Sequence, residues 1–563
     1  MSSGAKILIE SLIKNEVDTI FGYPGGSILN IYDELLNYKD KIQHILVSHE
    51  QHAAHAADGY ARSTGKVGVC LATSGPGATN LVTGIATAFM DSVPIVAITG
   101  NVGTHLLGKD SFQEVDITGI TMPIVKHNWI VKDLHDLQEI INEAFIVAKS
   151  GRPGPVLIDI PKDVSSEQLV VNSEKLIVNS EKRALRFSKR VQRETYNEAD
   201  IEKAIELIKN SKQPMIFAGG GLIRSDACIE LKKIAETLNI PVALSLNAMG
   251  AFAAEHPLCT GLIGMHGTVA SNKAVQKCDL LIALGTRFSD RVTSCDSFAK
   301  NAKIIHIDID PAEINKNINT DFFIIGDLKE VLNKLIKRLP TKISFEWGDQ
   351  IDIWKAKRAF VRKTSLHPKF IIQQTAKALG DETIAVTDVG QHQIWTAQFF
   401  PFKKPRKFLS SGGMGTMGFG MGASIGAKIA NPKTNIVLFT GDGSFRMNSA
   451  EMATLVKYKL PVLIIVFNNS TLGMLRQWQT YFYKERYFQT ALENCGPDFV
   501  KLAAAYNVSA FSTKDEKSFI VALDAAVKLL ASGKAVLIEV IIDKDEKVVP
   551  MTPSGKPVDE QIL

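Results

Sequence analysis

Short apolar runs alternate with longer amphipathic segments along most of the chain. In the first third, the runs of strand length are residues 42–48, 67–73 and 95–99. The same alternation recurs later, at residues 214–218, 280–284, 303–309, 436–440 and 462–467. Apolar runs separated by helical stretches predict β-α-β units, whose crossovers are right-handed and whose strands are parallel. The pattern therefore predicts an α/β fold with three doubly wound parallel-sheet domains.

Two charged stretches lack this alternation and are typical of linkers. They divide the chain into an N-terminal domain (1–165), a linker (166–195), a central domain (196–340), a second linker (341–368), a C-terminal domain (369–545) and a tail (546–563). A length of 563 residues is sufficient for about three or four domains.

The first and last domains contain an internal repeat. When the chain is shifted by 367 residues, residues 69–73 fall on residues 436–440, Pro94 falls on Pro461, and Asn101 falls on Asn468. The alternative is a coincidence between two generic α/β units. The repeat favours two structurally similar domains with different roles. Asp442 of the second copy falls on a glycine in the first, so the first copy lacks this carboxylate.

Composition narrows the functional classes. The chain is 45% hydrophobic and 22% charged, with a net charge of +5, which is ordinary for a globular α/β protein and argues against nucleic-acid binding. We see no export leader and no apolar run of about 18 residues, so we expect no membrane segment. Six cysteines without C-x-x-C spacing fit a reducing compartment, and we expect a cytoplasmic protein.

Candidate chemistry follows two neighbouring apolar runs near the C-terminus. Gly441-Asp442-Gly443 follows residues 436–440, and Asn469 follows residues 462–467. In a β-α-β unit both positions fall on the carboxyl edge of the sheet, where open α/β sheets bind ligands. Carboxylate and amide oxygens suit Mg²⁺, and glycines let the backbone approach a phosphate. A lone Gly-Asp-Gly is more often an ordinary turn, but this pairing predicts a metal-bridged diphosphate site.

Strand ends in the central domain also carry ligand-binding signals. Gly219, Gly220 and Gly221 follow one apolar run, and Gly285 follows the next. Glycine clusters at strand ends suit a dinucleotide. The central domain has no G-x-G-x-x-G sequence, so the residues alone leave the ligand open.

The Asp442 and Asn469 pair resembles the diphosphate motif of thiamine-diphosphate enzymes, whose third protein ligand is a backbone carbonyl, here that of Thr471. Residues 49–62 resemble a second pattern of that family, H-E-x-x-A-x-x-x-A-x-G-Y-A-R, whose glutamate is Glu50. The resemblance implies that Glu50 contacts the pyrimidine ring and promotes deprotonation of the thiazolium carbon, a role worth about 10²–10⁴ in rate. It also implies a homodimer or tetramer with active sites at the subunit interface.

Shorter segments resemble the acetohydroxyacid (acetolactate) synthases within that family, at residues 108–114, 264–267, 287–291 and 472–479. The R-F-x-D-R segment at 287–291 favours flavin-containing biosynthetic enzymes over fermentative ones, which lack it. The sequence departs from the family at Lys109 and Ser111, where Thr and Ala are usual. It also departs at residues 421–424, which are Met-Gly-Ala-Ser where Leu-Pro-Ala-Ala is usual.

The resemblance implies a role for each matching residue. The catalytic residues would be Glu50, Gln113, Arg291 and Trp478. Thiamine diphosphate would contact Gly25, Glu50, Gly390, Gln391, His392, Gly415, Met417, Gly441, Asp442, Gly443, Ser444, Asn469, Gly473 and Met474. Mg²⁺ would be held by Asp442, Asn469 and Thr471. A structural FAD would contact Arg152, Gly219, Gly220, Gly221, His266, Gly285, Arg287, Asp308 and Asp327. Substrate would contact Gly26, Phe112, Lys162, Met265, Arg291, Met474 and Trp478.

The implied reaction decarboxylates pyruvate and joins the remaining two-carbon unit to a second pyruvate or to 2-ketobutyrate. The products, 2-acetolactate and 2-aceto-2-hydroxybutyrate, lead to branched-chain amino acids, and a small regulatory subunit is a possible partner. Within the same family, a fermentative acetolactate synthase or a pyruvate oxidase is the alternative. Outside it, the alternative is a non-catalytic nucleotide-binding paralogue, while an NAD-linked dehydrogenase lacks its glycine fingerprint.

Overall fold

The computed structural model describes residues 2–169, 196–293, 297–339, 344–345, 347–356 and 366–563. Within these ranges the strands form three six-stranded sheets and one two-stranded ladder. Neighbouring strands of the six-stranded sheets are parallel throughout. The predicted α/β class with three parallel-sheet domains is therefore confirmed. Most of the two predicted linkers lies outside the described residues.

The N-terminal sheet has the spatial order β3-β2-β4-β5-β7-β6. Its strands, with the short antiparallel pair β1 and β8, are β1 (Ser2–Ser3), β2 (Thr19–Gly22), β3 (Gln43–Leu46), β4 (Gly68–Ala72), β5 (Ile95–Asn101), β6 (Asn128–Ile130), β7 (Val156–Pro161) and β8 (Gln168–Leu169). The helices of this region are Gly4–Lys14, Leu29–Leu36, Glu50–Thr64, Pro76–Asn80, Val82–Met90, Ile117–Thr121, Leu137–Lys149 and Lys162–Ser166.

The central sheet has the spatial order β11-β10-β9-β12-β13-β14. Its strands are β9 (Pro214–Ala218), β10 (Val242–Leu244), β11 (Cys259–Leu262), β12 (Leu280–Leu284), β13 (Lys303–Asp308) and β14 (Phe322–Ile325). Its helices are Glu198–Asn210, Gly221–Arg224, Cys228–Leu238, Val269–Lys277, Asp290–Thr293 and Leu328–Arg338, and Gly348–Ala356 follows. The chain order reverses between β9 and β12, which makes that point the topological switch of the sheet.

The C-terminal sheet has the spatial order β16-β15-β17-β18-β20-β19. Its strands are β15 (Ile384–Thr387), β16 (Phe408–Leu409), β17 (Ile436–Gly441), β18 (Val462–Asn468), β19 (Ser509–Thr513) and β20 (Val536–Ile541). Its helices are Pro368–Leu379, Gln391–Phe399, Phe419–Ala430, Asp442–Asn448, Met452–Lys457, Gly473–Phe482, Phe499–Ala505 and Glu516–Ala531.

The N- and C-terminal sheets share one topology, which confirms the internal repeat. Each C-terminal strand takes the place of an N-terminal strand in the same chain order, from β2 and β15 through to β7 and β20. The repeat also holds in register, because adding 367 to the bounds of β5 gives those of β18. Both halves therefore present equivalent carboxyl edges on which a ligand site can be built.

Two helices join the N- and C-terminal domains of one chain through small residues. Glu50–Thr64 packs on Phe419–Ala430 so closely that a Cβ added at Gly426 would lie 1.8 Å from the Ala56 carbonyl oxygen. A Cβ at Gly422, one of the departures from the family pattern, would lie 2.8 Å from the His52 carbonyl oxygen. Glycine at these positions permits the close approach of the two backbones.

Two helix starts differ from the sequence expectation. The apolar run at residues 42–48 predicts Glu50 at the end of a strand. In the structure Glu50 instead opens a helix, which the His49 side chain caps by accepting a hydrogen bond from Gln51 N. Between the apolar runs 436–440 and 462–467, the sequence pattern predicts a helix over residues 449–457, whereas the chain becomes helical directly at Asp442. Among the described residues, no helix combines the length and apolar character needed to cross a bilayer.

Candidate active site

A cleft opens at the carboxyl edge of the C-terminal sheet, beyond the neighbouring strands β15, β17 and β18. Its open volume is about 490 Å³. Of the residues assigned to thiamine diphosphate or Mg²⁺ by resemblance, the cleft is lined by Gly390, Gln391, His392, Met417, Gly441, Asp442, Gly443, Ser444, Asn469, Thr471, Gly473 and Met474. Parallel pairing of β17 with β18 sets Gly441 beside Phe467, so Asp442 and Asn469 leave the sheet side by side. Gly415 does not line this cleft.

The cleft contains a buried carboxylate. Asp442 is 5% exposed, and its Oδ1 accepts a hydrogen bond from Gly443 N at 3.0 Å. Burial raises the pKa of Asp442 to about 7, against the lowering effect of its backbone hydrogen bonds. The positive charge of Arg446 also lowers this pKa, but burial outweighs it. A buried carboxylate in this condition is stabilised by a bound metal ion.

Amide and imidazole groups complete the polar surface of the cleft. Asn469 Nδ2 donates to Gln391 Oε1 at 3.3 Å, and Thr471 N donates to Asn469 Oδ1 at 3.3 Å. His392 Nε2 is buried without a hydrogen-bond partner among the described residues, and burial lowers the His392 pKa to about 3. The side-chain oxygens of the cleft can act as ligands of Mg²⁺, and the free ring nitrogen of the neutral imidazole can hydrogen-bond to a phosphate. The cleft therefore fits a diphosphate bound with Mg²⁺.

The loop 411–418 carries Met417 into the cleft, and its support was not predicted. Asp388 follows β15 and is fully buried. Its Oδ1 accepts hydrogen bonds from Gly418 N at 3.0 Å and from Gly420 N at 2.8 Å, and its Oδ2 accepts one from Thr440 Oγ1 at 2.7 Å. The available sequence signal for this role was the strand-like run at residues 384–388, which ends in a carboxylate.

The residues assigned to substrate on the C-terminal and central domains lie around the chain's C-terminal tail. The backbone N–H of Met265 donates to the Arg291 carbonyl at 2.8 Å, and the Arg291 side chain is exposed. Trp478 lies half-buried on helix Gly473–Phe482, where its ring centroid is 5.0 Å from that of Phe482. The tail is docked beside them, because Thr552 N donates to the Met265 carbonyl at 2.7 Å.

The residues assigned to FAD gather at the carboxyl edge of the central sheet. Gly219, Gly220 and Gly221 follow β9, and the space is tight, since a Cβ at Gly219 would lie 2.0 Å from the Gly285 carbonyl oxygen. Asp308 ends β13, and Asp327 caps helix Leu328–Arg338 by accepting a hydrogen bond from Glu330 N. This edge contains the topological switch between β9 and β12, where such sheets bind dinucleotides.

Two cations and a buried histidine lie at the same edge. Arg152 reaches over from the N-terminal domain and pairs with Asp310 at 3.2 Å. Burial and the neighbouring Arg152 lower the pKa of Arg287, so an anion between the two guanidinium groups would stabilise both. Burial lowers the pKa of His266 to about 4. The cations fit the diphosphate of a dinucleotide.

A second cavity, of about 260 Å³, lies where the three domains meet. It is lined by Arg62, Arg224 and Arg406 among others, and none of the residues assigned to FAD lines it.

The residues predicted from the N-terminal domain lie at the edge of their own sheet. Glu50 Oε2 accepts a hydrogen bond from Asn80 Nδ2 at 2.9 Å. Gln113 lies beside Gly75, where an added Cβ would lie 2.9 Å from the Gln113 carbonyl oxygen. Phe112 is 88% exposed. The remaining predicted residues of this domain are Gly25 and Gly26 after β2, and Lys162, which begins a helix after β7.

None of these N-terminal residues lines the C-terminal cleft of the same chain. The residues assigned by resemblance to the two terminal domains therefore fall into two groups, each at the carboxyl edge of a different sheet.

Comparison with known proteins agrees with this arrangement. The descriptions of the matching family models are "Thiamine pyrophosphate enzyme, N-terminal TPP binding domain" at residues 2–120, "Thiamine pyrophosphate enzyme, central domain" at 201–335, and "Thiamine pyrophosphate enzyme, C-terminal TPP binding domain" at 388–540. The fold and the cleft thus define a thiamine pyrophosphate enzyme.

Similar proteins narrow the class further. The acetolactate synthase large subunit of Pyropia yezoensis is 45% identical over 98% of this chain and 94% of its own length. That of Cyanidium caldarium is 46% identical over 99% of this chain and 96% of its own. The acetolactate synthase of Mycobacterium leprae is 46% identical over 99% of this chain and 90% of its own. The chain belongs to the acetolactate synthase large-subunit family, which confirms the resemblance inferred from its sequence.

Proposed function

We propose that this protein condenses two 2-keto acids: it decarboxylates pyruvate and transfers the two-carbon remainder to a second pyruvate or to 2-ketobutyrate. The products are 2-acetolactate and 2-aceto-2-hydroxybutyrate, precursors of valine, leucine and isoleucine. The observation that carries the proposal is the C-terminal cleft, in which Asp442, Asn469 and His392 meet at neighbouring strand ends. Thiamine diphosphate, when bound, supplies the nucleophilic carbon that activates the keto acid.

The cleft residues would hold the diphosphate end of that cofactor through Mg²⁺. Asp442, Asn469 and the carbonyl of Thr471 supply oxygen ligands, and glycines 441, 443 and 473 leave the backbone open to the phosphates. Burial disfavours the charged form of the Asp442 carboxylate, and a bound Mg²⁺ would stabilise that form directly. Met417 would press on the cofactor from the opposite wall and set its shape.

A complete site needs a second copy of the chain. Glu50 would hold and move a proton at the pyrimidine ring nitrogen, with its carboxylate oriented by Asn80. Because Glu50 does not line the cleft of its own chain, the partner subunit's Glu50 would supply this group. The exposure of Phe112 supports the same conclusion, since an aromatic ring 88% exposed beside this half-site suits a covered interface. The minimal assembly is a homodimer.

Substrate would bind between the central and C-terminal domains. Arg291 would pair with the carboxylate of the acceptor acid, while Met265, Met474 and Trp478 would form the apolar wall. The other subunit would close the pocket with its Phe112, Gln113, Lys162 and Gly26. FAD would take a structural place at the central switch point, between Arg152 and Arg287. A cytoplasmic location and a small regulatory subunit complete the proposal.

Product analysis tests the function. Purified protein is supplied with thiamine diphosphate, Mg²⁺, pyruvate and 2-ketobutyrate, and the products are identified by mass spectrometry. We expect both acetohydroxy acids, and loss of both in the Asp442→Ala variant. Acetate formation with flavin reduction would instead identify an oxidase, and no release of CO₂ from the wild-type protein would contradict the proposal.

A further inference from the structure

One buried carboxylate joins all three domains of the chain. Asp91, in the N-terminal domain, is 2% exposed. Its Oδ1 accepts hydrogen bonds from Asn247 Nδ2 of the central domain and from Gly413 N of the C-terminal domain, each at 2.8 Å. Its Oδ2 accepts hydrogen bonds from Arg62 Nη2 and from Gly412 N, each at 2.9 Å. Four donors from three domains therefore converge on one side chain.

The charge of Asp91 is suited to this arrangement. Burial alone would raise its pKa, but Arg62, Arg224 and Asn247 together outweigh burial and hold the pKa below its usual range. An ionised carboxylate has only acceptor sites, and hydrogen bonds to it are about twice as strong as neutral ones. Each of the four donors therefore bonds to a carboxylate oxygen that can only accept a hydrogen bond.

Two of those donors belong to the loop 411–418, which carries Met417 into the cofactor cleft. The far end of the loop is held by Asp388, which accepts from Gly418 N at 3.0 Å. Its middle is held by Thr87 of the N-terminal domain, whose Oγ1 lies 2.7 Å from Thr416 Oγ1. Asp91 holds the near end, so the loop is fixed along its whole length.

The loop can approach Asp91 this closely only because residues at its start are glycines. A Cβ added at Gly413 would lie 2.9 Å from Asp91 Oδ1, and one at Gly412 would lie 2.5 Å from Asn247 Oδ1. Any larger residue would push the loop away from the carboxylate. The close approach of the two glycines and the four hydrogen bonds to Asp91 together fix the start of the loop, and the same loop continues to Met417.

We propose that Asp91 is a positioning residue of the thiamine diphosphate cleft: from the N-terminal domain it fixes residues 411–418 and thereby sets the position of Met417 against the cofactor. This inference rests on the proposed function. A purely structural role, in which Asp91 only joins domains, would lower stability without a selective effect on cofactor binding.

Asp91→Asn tests the inference, because the amide keeps the size of the side chain and places N–H groups against existing donors. The dissociation constant of thiamine diphosphate, titrated calorimetrically in Mg²⁺, should rise about ten- to a hundredfold. The KM for pyruvate at saturating cofactor should change less than about twofold. Unchanged cofactor affinity in a folded Asp91→Asn protein would overturn the inference.

Asp58→Asn is the matched control. Asp58 is fully buried and accepts hydrogen bonds from the same Arg62, but in the described part of the chain it has no hydrogen bond to residues 411–418. This variant should lose thermal stability while its thiamine diphosphate affinity stays within about threefold of wild type. Equal loss of cofactor affinity in Asp58→Asn and Asp91→Asn would assign the effect to the Arg62 network and overturn the inference.

A gentler variant keeps the test valid if Asp91→Asn does not fold. Thr87→Val removes the hydrogen bond to Thr416, together with one from the same hydroxyl to the Thr83 carbonyl of its own helix, and it should weaken cofactor binding about two- to tenfold. A double-mutant cycle between Thr87→Val and Met417→Ala should show non-additive effects on cofactor affinity, because both act through Met417. Additive effects would overturn the inference. Wild-type protein that binds no thiamine diphosphate would instead refute the proposed function.

Discussion

Mixing two inactive variants tests whether each active site is shared between two chains. Glu50→Gln removes the proposed proton-transfer group at the N-terminal sheet edge, and Asp442→Ala removes the proposed metal ligand in the C-terminal cleft. The two residues belong to different half-sites, since Glu50 does not line the cleft that contains Asp442. Each variant alone should be nearly inactive, because every site in its homodimer carries the same defect.

The expected recovery follows from this geometry. With random pairing, half of the dimers contain one chain of each variant. Every mixed dimer has one site built from the intact Asp442 of one chain and the intact Glu50 of the other, and a second site with both defects. Recovered activity should therefore be about one quarter of the wild-type value.

Co-expression with two affinity tags, followed by tandem purification, isolates the mixed dimers, whose product formation should reach about half of the wild-type value per dimer. Asp442→Ala paired with Asn469→Ala is the control, because both changes lie in the same cleft and no mixed dimer contains an intact site. Mixed Glu50→Gln and Asp442→Ala dimers no more active than this control would refute the shared-site argument.

Further predictions address single features. Asp442→Ala should weaken thiamine diphosphate binding in Mg²⁺ roughly a hundredfold or more by calorimetry; unchanged affinity would remove Asp442 as a metal ligand. Trp478→Leu should reduce the preference for 2-ketobutyrate over pyruvate as acceptor by about tenfold or more, measured as the product ratio in a mixed-substrate assay; an unaltered ratio would contradict the pocket assignment. Gly426→Ala should lower the free energy of unfolding by about 1–3 kcal/mol in denaturant titration, because its Cβ would meet the Ala56 carbonyl; Gly348→Ala, in open space, is the control, and equal effects would contradict the packing argument.

Much of the fold could be predicted because it depends on local pattern. The run at 462–467 is apolar on every residue, as expected for a strand covered on both faces, and β18 includes all of it. The strand-end positions of Asp442 and Asn469 followed from the parallel crossover alone. The other residues of the cleft, such as His392 and Met417, were named from the resemblance to thiamine-diphosphate enzymes, because their own sequence pattern does not indicate a ligand.

The support that Asp91 gives to the site could not be predicted because it depends on contacts between distant segments. Asp91 accepts hydrogen bonds from Gly412 and Gly413, which lie more than 300 residues away in the sequence. Neither segment contains a sequence pattern that indicates contact with the other. The helix start at Glu50 was missed because His49 serves as its cap, and histidine is not among the residues whose sequence signal marks a helix start.

A crystal structure of the protein with thiamine diphosphate and Mg²⁺ tests the central claim most directly. We predict one metal ion bound to the oxygens of Asp442 and Asn469 at about 2.0–2.1 Å, bridging the diphosphate, with the pyrimidine ring of the same cofactor against Glu50 of the partner subunit. A diphosphate bound elsewhere, or a cofactor whose pyrimidine ring meets no Glu50, would contradict the account.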